Sequence, residues 1–155
     1  MHDEPKTAFS THVSSQAECS IVAPVMQSPR LEYRPKVRPL IDSPEAAAGQ
    51  FAFIRNEMRE HFVCMTLDAA NRMIACRVIS IGTLTASLVH PREVFRNAIL
   101  DCAASIIVGH NHPSGSLEAS AEDRSICYRL KHVSEILGIN LLFHIILTED
   151  SFTLT

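Results

Sequence analysis

The sequence has no tryptophan, no Cys-x-x-C pair, no excess of basic residues and no apolar run of membrane-spanning length. With 14 basic and 17 acidic residues, its net charge is −3 and its pI about 6.2. This balance argues against the general basic footprint of a nucleic-acid-binding domain. The N-terminus is acidic and polar, so we expect neither a signal peptide nor a transmembrane helix.

The cysteines are odd in number and spread along the chain, which argues against a disulfide framework. Several of them lie within apolar segments, a placement typical of reduced, buried small hydrophobes. Reduced thiols predict a cytoplasmic protein. The five positions are Cys19, Cys64, Cys76, Cys102 and Cys127.

Proline and polar residues divide the chain into two parts. Residues 1–38 are interrupted by proline and filled with Ser, Thr and Gln, which predicts a flexible N-terminal tail. Residues 39–155, in a chain with 46% hydrophobic and 20% charged residues, are long enough for one domain with a real core.

A local basic patch lies at the end of the predicted tail. Arg30, Arg34, Lys36 and Arg38 are offset there only by Glu32. Such a patch could touch phosphate. Because the rest of the chain adds no basic support, a solvated linker is the favoured interpretation and direct DNA contact the weaker alternative.

Hydrophobic periodicity predicts alternating strands and helices. The predicted helices run from the Ser43-Pro44-Glu45 start to about Arg59, from Pro91 onward, and from about 121 to 137, before Gly138. The predicted strands are 62–67, 73–80, 84–89, 105–109, 140–147 and a short final one. This αβββαβαββ order predicts an α/β fold with a mixed sheet flanked by helices.

His110-Asn111-His112, followed by Ser120 and Asp123, is the pattern that carries chemistry. Imidazole and carboxylate suit Zn²⁺, and three protein ligands with one open position characterise a catalytic zinc site. Residues at i and i+2 of an extended segment point to the same side, so the two histidines can bind one ion together. The alternative is structural, with Ser120 and Asp123 forming an ordinary helix cap and the histidines lying in a loop.

This pattern matches the JAMM metalloenzyme motif in full. The stretches Val89–Arg96 and Gly109–Ser116 resemble more narrowly the RadC-type branch of JAB-domain proteins, and the resemblance covers about residues 40 to 150. It implies the JAB/MPN, cytidine-deaminase-like architecture. Larger members carry an additional N-terminal module; the tail is too short to hold it, so we expect a short form without that module.

The resemblance also implies the roles of individual residues. His110, His112 and Asp123 would hold one Zn²⁺, and Glu60 would be the catalytic acid/base, with Glu57 its near competitor. Ser120 would hold the oxyanion. The implied activity is amide hydrolysis by a metallopeptidase or isopeptidase, acting on a peptide or protein substrate such as a ubiquitin-like conjugate.

Two other function classes stay open. One is a DNA-repair-associated accessory protein without peptidase activity, which the RadC name implies. The other is a metal-binding but inactive scaffold. A zinc deaminase is a further possibility, but its H-x-E and P-C-x-x-C ligand motifs are absent.

Four polar residues beside these motifs are assigned structural roles. His144, on an apolar strand, is interpreted as a core histidine and not as a ligand; similar sequences have Asp-His where this chain has Phe143-His144. His61 is expected to be exposed, His90 to cap or pack at a helix start, and Asn111 to shape the metal loop.

Overall fold

The structure, a computed structural model, describes residues 32–82 and 89–155. Within these residues the helices are α1 (Pro44–Gln50), α2 (Pro91–Leu100) and α3 (Ala121–Leu137), with a 3-10 helix at Ala52–Ile54. The strands are β1 (Glu32–Tyr33), β2 (His61–Leu67), β3 (Met73–Ile81), β4 (Ser105–Asn111), β5 (Asn140–Leu147) and β6 (Phe152–Leu154). None of the helices in these ranges has both the length and the apolar character needed to cross a bilayer.

The strands form one mixed sheet in the order β1-β3-β2-β4-β5-β6. β4 and β5 run parallel, and the other neighbouring strands are antiparallel. A mixed sheet with helices confirms the predicted α/β class and agrees with the JAB/MPN architecture. It also places β4, which carries the His-x-His pattern, in the interior of the sheet.

Both faces of the sheet are covered, as the side chains of β2 show. Val63, Met65 and Leu67 belong to one apolar cluster with α1, while Phe62 and Cys64 belong to another with α2 and α3. Successive residues of a strand point to opposite faces, so a strand buried on both sides reads as a continuous apolar run. His61 is accordingly only 7% exposed, and the expectation that it is exposed was wrong.

Helix α1 begins as predicted but is shorter. Ser43 accepts a hydrogen bond from the Ala46 N–H and Pro44 is the first helical residue, as the start signal indicates. The helix ends at Gln50, and the prediction that it reaches Arg59 was wrong. The carbonyls of Glu57 and Arg59 accept from the side chain of Asn111 in β4 instead of bonding within a helix.

The predicted strand at 84–89 falls mostly on residues 83–88, outside the described ranges, and Val89 lies outside any strand. The predicted tail contributes β1, which pairs with β3 opposite Cys76 and Arg77. Two cations of its basic patch are in ion pairs: Arg34 with Glu32 and Asp101, and Arg38 with Asp68.

Candidate metal centre

The two histidines lie at the carboxyl end of β4. This strand reaches Asn111, beyond the predicted end at 109, because β5 pairs with it in parallel as far as Leu147. His110 is fully buried, and its ring stacks on Phe62 with the centroids 6.0 Å apart. The His112 N–H donates to the Leu147 carbonyl at 2.8 Å, so hydrogen-bonded backbone holds both histidines.

Asp123 reaches the histidines from the first turn of α3. Ser120 is the N-cap; its hydroxyl accepts from the Asp123 N–H at 3.0 Å, and Asp123 Oδ2 accepts from the Ser120 N–H at 2.8 Å. This is the capping box that the structural alternative predicted. The same carboxylate nevertheless faces both histidines, because each of its oxygens has room for more than one partner. The helix cap and the metal-type cluster coexist.

Four potential ligand atoms converge within 4.8 Å of one another, from Glu60, His110, His112 and Asp123. His110 Nε2 lies 2.9 Å from His112 Nε2 and 3.1 Å from Asp123 Oδ1, and His112 Nε2 lies 3.4 Å from Asp123 Oδ2. Ligands at about 2.0–2.1 Å from a tetrahedral zinc are about 3.3 Å apart. The two histidines and Asp123 therefore fit a zinc ion in both donor type and separation.

The hydrogen bonds of His112 determine which nitrogen it offers. Its Nδ1 lies 2.7 Å from the Ser116 carbonyl oxygen. A carbonyl only accepts, so Nδ1 carries the proton and donates it. In the neutral ring the lone pair is then on Nε2, which faces the cluster, as metal ligation requires.

His110 is backed by a second buried histidine. His110 Nδ1 lies 3.1 Å from His144 Nε2, and His144 is 2% exposed. Burial, and then the charge of His110, lower the pKa of His144 to about 3, so its ring is neutral at neutral pH. If His110 donates from Nδ1 to His144, the His110 Nε2 lone pair faces the cluster. Among the described residues, none offers a hydrogen-bond partner to His144 Nδ1.

The carboxylate and the imidazoles stabilise each other's charged forms. Burial raises the pKa of Asp123, but hydrogen bonds from His110, His112 and Ser120 outweigh it and hold that pKa well below the ordinary value. The hydrogen bond to Asp123 raises the pKa of His112. Asp123 is thus an anion poised to bind a cation.

The carboxylate of Glu60 lies farther from the histidines than that of Asp123. Its Oε1 is 3.9 Å from His110 Nε2, compared with 3.1 Å for Asp123. Its backbone carbonyl accepts from the Gly82 N–H at 2.8 Å, which fixes the residue just before β2. Glu57, the competitor, is exposed and lies outside the cluster. Glu60 therefore lies at the edge of the cluster, farther from His110 Nε2 than Asp123 does.

Asn111 is the residue whose role in the site the sequence interpretation missed. It is fully buried, and its side chain bonds to backbone groups on both sides of Glu60 and not to the metal loop that it was expected to shape. A polar residue between two candidate ligands on a buried strand was the available signal.

The expectation for His90 was confirmed, because its side chain caps α2 and accepts a hydrogen bond from the Arg92 N–H.

Comparisons with known proteins agree with this geometry. The sequence model of the RadC-like JAB domain matches residues 41–154. A UPF0758 protein of Rubrobacter xylanophilus is 44% identical over 138 residues, covering 88% of this chain and 61% of that protein. A UPF0758 protein of Synechocystis is 39% identical over 148 residues, covering 95% of this chain and 61% of that protein. This chain therefore spans about three fifths of the length of these two relatives.

Proposed function

Since this chain belongs to the RadC-like JAB domain family, we propose that it is a zinc-dependent amide hydrolase of the JAMM type. The observation that carries the proposal is the convergence of Glu60, His110, His112 and Asp123 within 4.8 Å. The ligand atoms of the two histidines and Asp123 are separated by distances close to those of a tetrahedral zinc site. Three protein ligands of this kind would leave the fourth position of the metal for water. The substrate class is a peptide or protein amide, such as an isopeptide of a ubiquitin-like conjugate.

The cysteines that the structure describes are all free thiols, which supports a protein of a reducing compartment, the cytoplasm.

The chemistry divides among the residues of the cluster. Zinc held by His110, His112 and Asp123 would polarise a water and lower its pKa toward neutrality. Glu60, 3.9 Å from the nearest histidine nitrogen, takes the proton of that water and delivers it to the leaving amine. Its position at the edge of the cluster suits a base better than a ligand.

Ser120 has a more constrained role than a free hydroxyl would have. Its Oγ lies 2.6 Å from Asp123 Oδ2 and accepts from the Asp123 N–H. A hydroxyl has one proton to donate. For Ser120 to hold the oxyanion, this proton must turn from Asp123 to the substrate oxygen, while the N–H bond that caps α3 remains in place.

The first test is the metal content of the purified protein beside His112→Ala, by elemental analysis. We expect about one zinc per chain in the unchanged protein and none in the variant, since catalytic sites need all three protein ligands. His132→Ala is the matched control, because His132 is exposed on α3. No zinc in the unchanged protein, even after zinc is supplied, would overturn the proposal.

A second variant separates an enzyme from a metal-binding scaffold. Glu60→Gln keeps the ligands and removes the base, so zinc should stay while kcat for peptide or isopeptide substrates falls about 10²–10⁴-fold. Hydrolysis that survives in Glu60→Gln would reject Glu60 as the base. A zinc-loaded protein inactive on all such substrates would favour the scaffold.

A further inference from the structure

Asn111 lies between the two histidines in the sequence, but its side chain forms hydrogen bonds with the segment before β2 and not with the metal-type cluster. Its Oδ1 accepts from the His61 N–H at 2.7 Å, and its Nδ2 donates to the carbonyls of Glu57 at 3.0 Å and Arg59 at 3.1 Å. Two of these partners, Arg59 and His61, are the residues immediately before and after Glu60. One buried side chain thus ties both sides of Glu60 to β4.

The chemistry of the partners fixes the orientation of this amide. A backbone N–H only donates and a carbonyl only accepts, so a flipped Asn111 would mismatch all three bonds. The residue is 0% exposed, which keeps water from replacing any of them. The segment from Glu57 to Glu60 lies outside any helix or strand, so regular secondary structure does not hold it.

We propose that Asn111 is a positioning residue that sets the location of the Glu60 carboxylate relative to the histidines. The proposal rests on the proposed function of Glu60 as the base. Asn111 is bonded covalently to His110 and His112, the two proposed histidine ligands. It therefore connects the proposed metal site at the end of β4 to the segment before β2 that carries Glu60. A displacement of the order of 1 Å in a catalytic group can cost about 10²-fold in rate.

The first measurement needs no variant. Both side-chain N–H protons of the buried Asn111 donate to backbone carbonyls, so in the NMR spectrum of the intact protein they should exchange with solvent far more slowly than those of Asn71 and Asn140. The two comparison asparagines are exposed. Equally fast exchange at all three would overturn the proposal.

The second measurement compares local and global effects of Asn111→Ala by hydrogen exchange. Exchange should rise at residues 55–62 and stay unchanged at β5, with about one zinc per chain retained. Ser105→Ala is the matched control, since Ser105 is buried on the same strand and its hydroxyl has no hydrogen-bond partner in the part of the chain that the structure describes. Asn111→Asp, which keeps the shape and the acceptor for His61 but loses both donors, replaces Asn111→Ala if that variant does not fold. An equal rise in exchange throughout the sheet would contradict a positioning role.

The third measurement is a double-mutant cycle on kcat. Asn111→Ala should lower kcat about 10²-fold with KM within about twofold, but change it by less than about twofold in a Glu60→Gln background. If Asn111 had only a structural role, Asn111→Ala would lower kcat equally with Glu60 and with Gln at position 60, and that result would overturn the proposal. If Glu60→Gln is as active as the unchanged protein, the proposed function fails, while the exchange measurements still decide whether Asn111 holds the segment.

Discussion

At the scale of single residues, the neighbours of each histidine decide which ring nitrogen is available to a metal. For His112 the neighbour is the Ser116 carbonyl, a fixed acceptor. For His110 it is the Nε2 of His144, 3.1 Å from the His110 Nδ1, and this nitrogen can accept only while the His144 ring is neutral. The lowered pKa of His144, caused first by burial, maintains this state at neutral pH. Both candidate ligands therefore depend on the groups that their second ring nitrogens contact.

His144→Leu tests this dependence. The change removes the ring nitrogen that lies 3.1 Å from the buried His110 Nδ1, so we expect zinc affinity to fall about 10–100-fold, as for other residues behind metal ligands. Competition with a chelator measures the affinity. His144→Gln, which restores an acceptor oxygen, should recover part of the loss. Affinity equal to that of the unchanged protein in both variants would show that His110 needs no such support.

Local signals predicted most of the candidate site, and distant contacts account for the rest. The spacing of His110, His112 and Asp123 and the Ser120 cap all lie within one short segment, whose turn and cap chemistry are readable in sequence. Asn111 contacts Glu57, 54 residues away, and this contact shapes the segment before β2. Such a contact depends on how β2 and β4 pair, which periodicity alone does not reveal.

At the scale of elements, the packing of α1 on β4 depends on a residue without a side chain. A Cβ at Gly109 would lie 2.8 and 2.9 Å from ring carbons of Phe51 and 3.2 Å from the Ile145 carbonyl oxygen. Phe51 is fully buried in the core, so its ring has little room to move. Gly109 therefore allows the chain after α1 to approach the strand that carries the histidines.

Gly109→Ala should accordingly lower the free energy of unfolding by about 1–3 kcal/mol, the usual cost of overpacking a core. Urea denaturation of the metal-free protein measures this directly. Gly49→Ala is the matched control, because no other side chain or strand of the described residues comes within 4 Å of its added Cβ and alanine favours the helix. If both substitutions were neutral, the close approach would not constrain this strand.

At the scale of the whole molecule, Asp101 connects elements that are far apart in sequence. It follows α2 and accepts from Thr66 of β2, Arg77 of β3 and Arg34 beside β1. Burial raises the pKa of Asp101, but hydrogen bonds from Arg77 and Thr66 outweigh it and hold the pKa below its ordinary value of 3.8. The network thus joins the first described strand to the rest of the sheet.

The lowered pKa gives a pH dependence of known sign. The stabilisation from Asp101 is complete above its ordinary pKa and is lost as the pH falls through the lower folded value. Asp101→Asn should cost about 1.5–3 kcal/mol at pH 7, because it removes the charged hydrogen bonds to Arg77 and leaves that guanidinium with Glu32 as its carboxylate partner, and this difference should shrink below about pH 3.8. Unfolding in urea across this pH range measures it, with the exposed Asp150→Asn as control. A difference independent of pH would contradict the assignment.

Successive residues at the end of β4 face opposite sides of the sheet, and this alternation restricts the number of residues in the strand as well as their types. Gly109 and Asn111 face the side of α1 and the segment before β2, while His110 between them faces the cluster. Inserting or deleting one residue in this stretch would exchange the two sides, placing a histidine among the backbone carbonyls and an amide among the ligands. Single replacements can be compensated one by one, but a change of length would disrupt the candidate metal cluster and the Asn111 hydrogen bonds in one event.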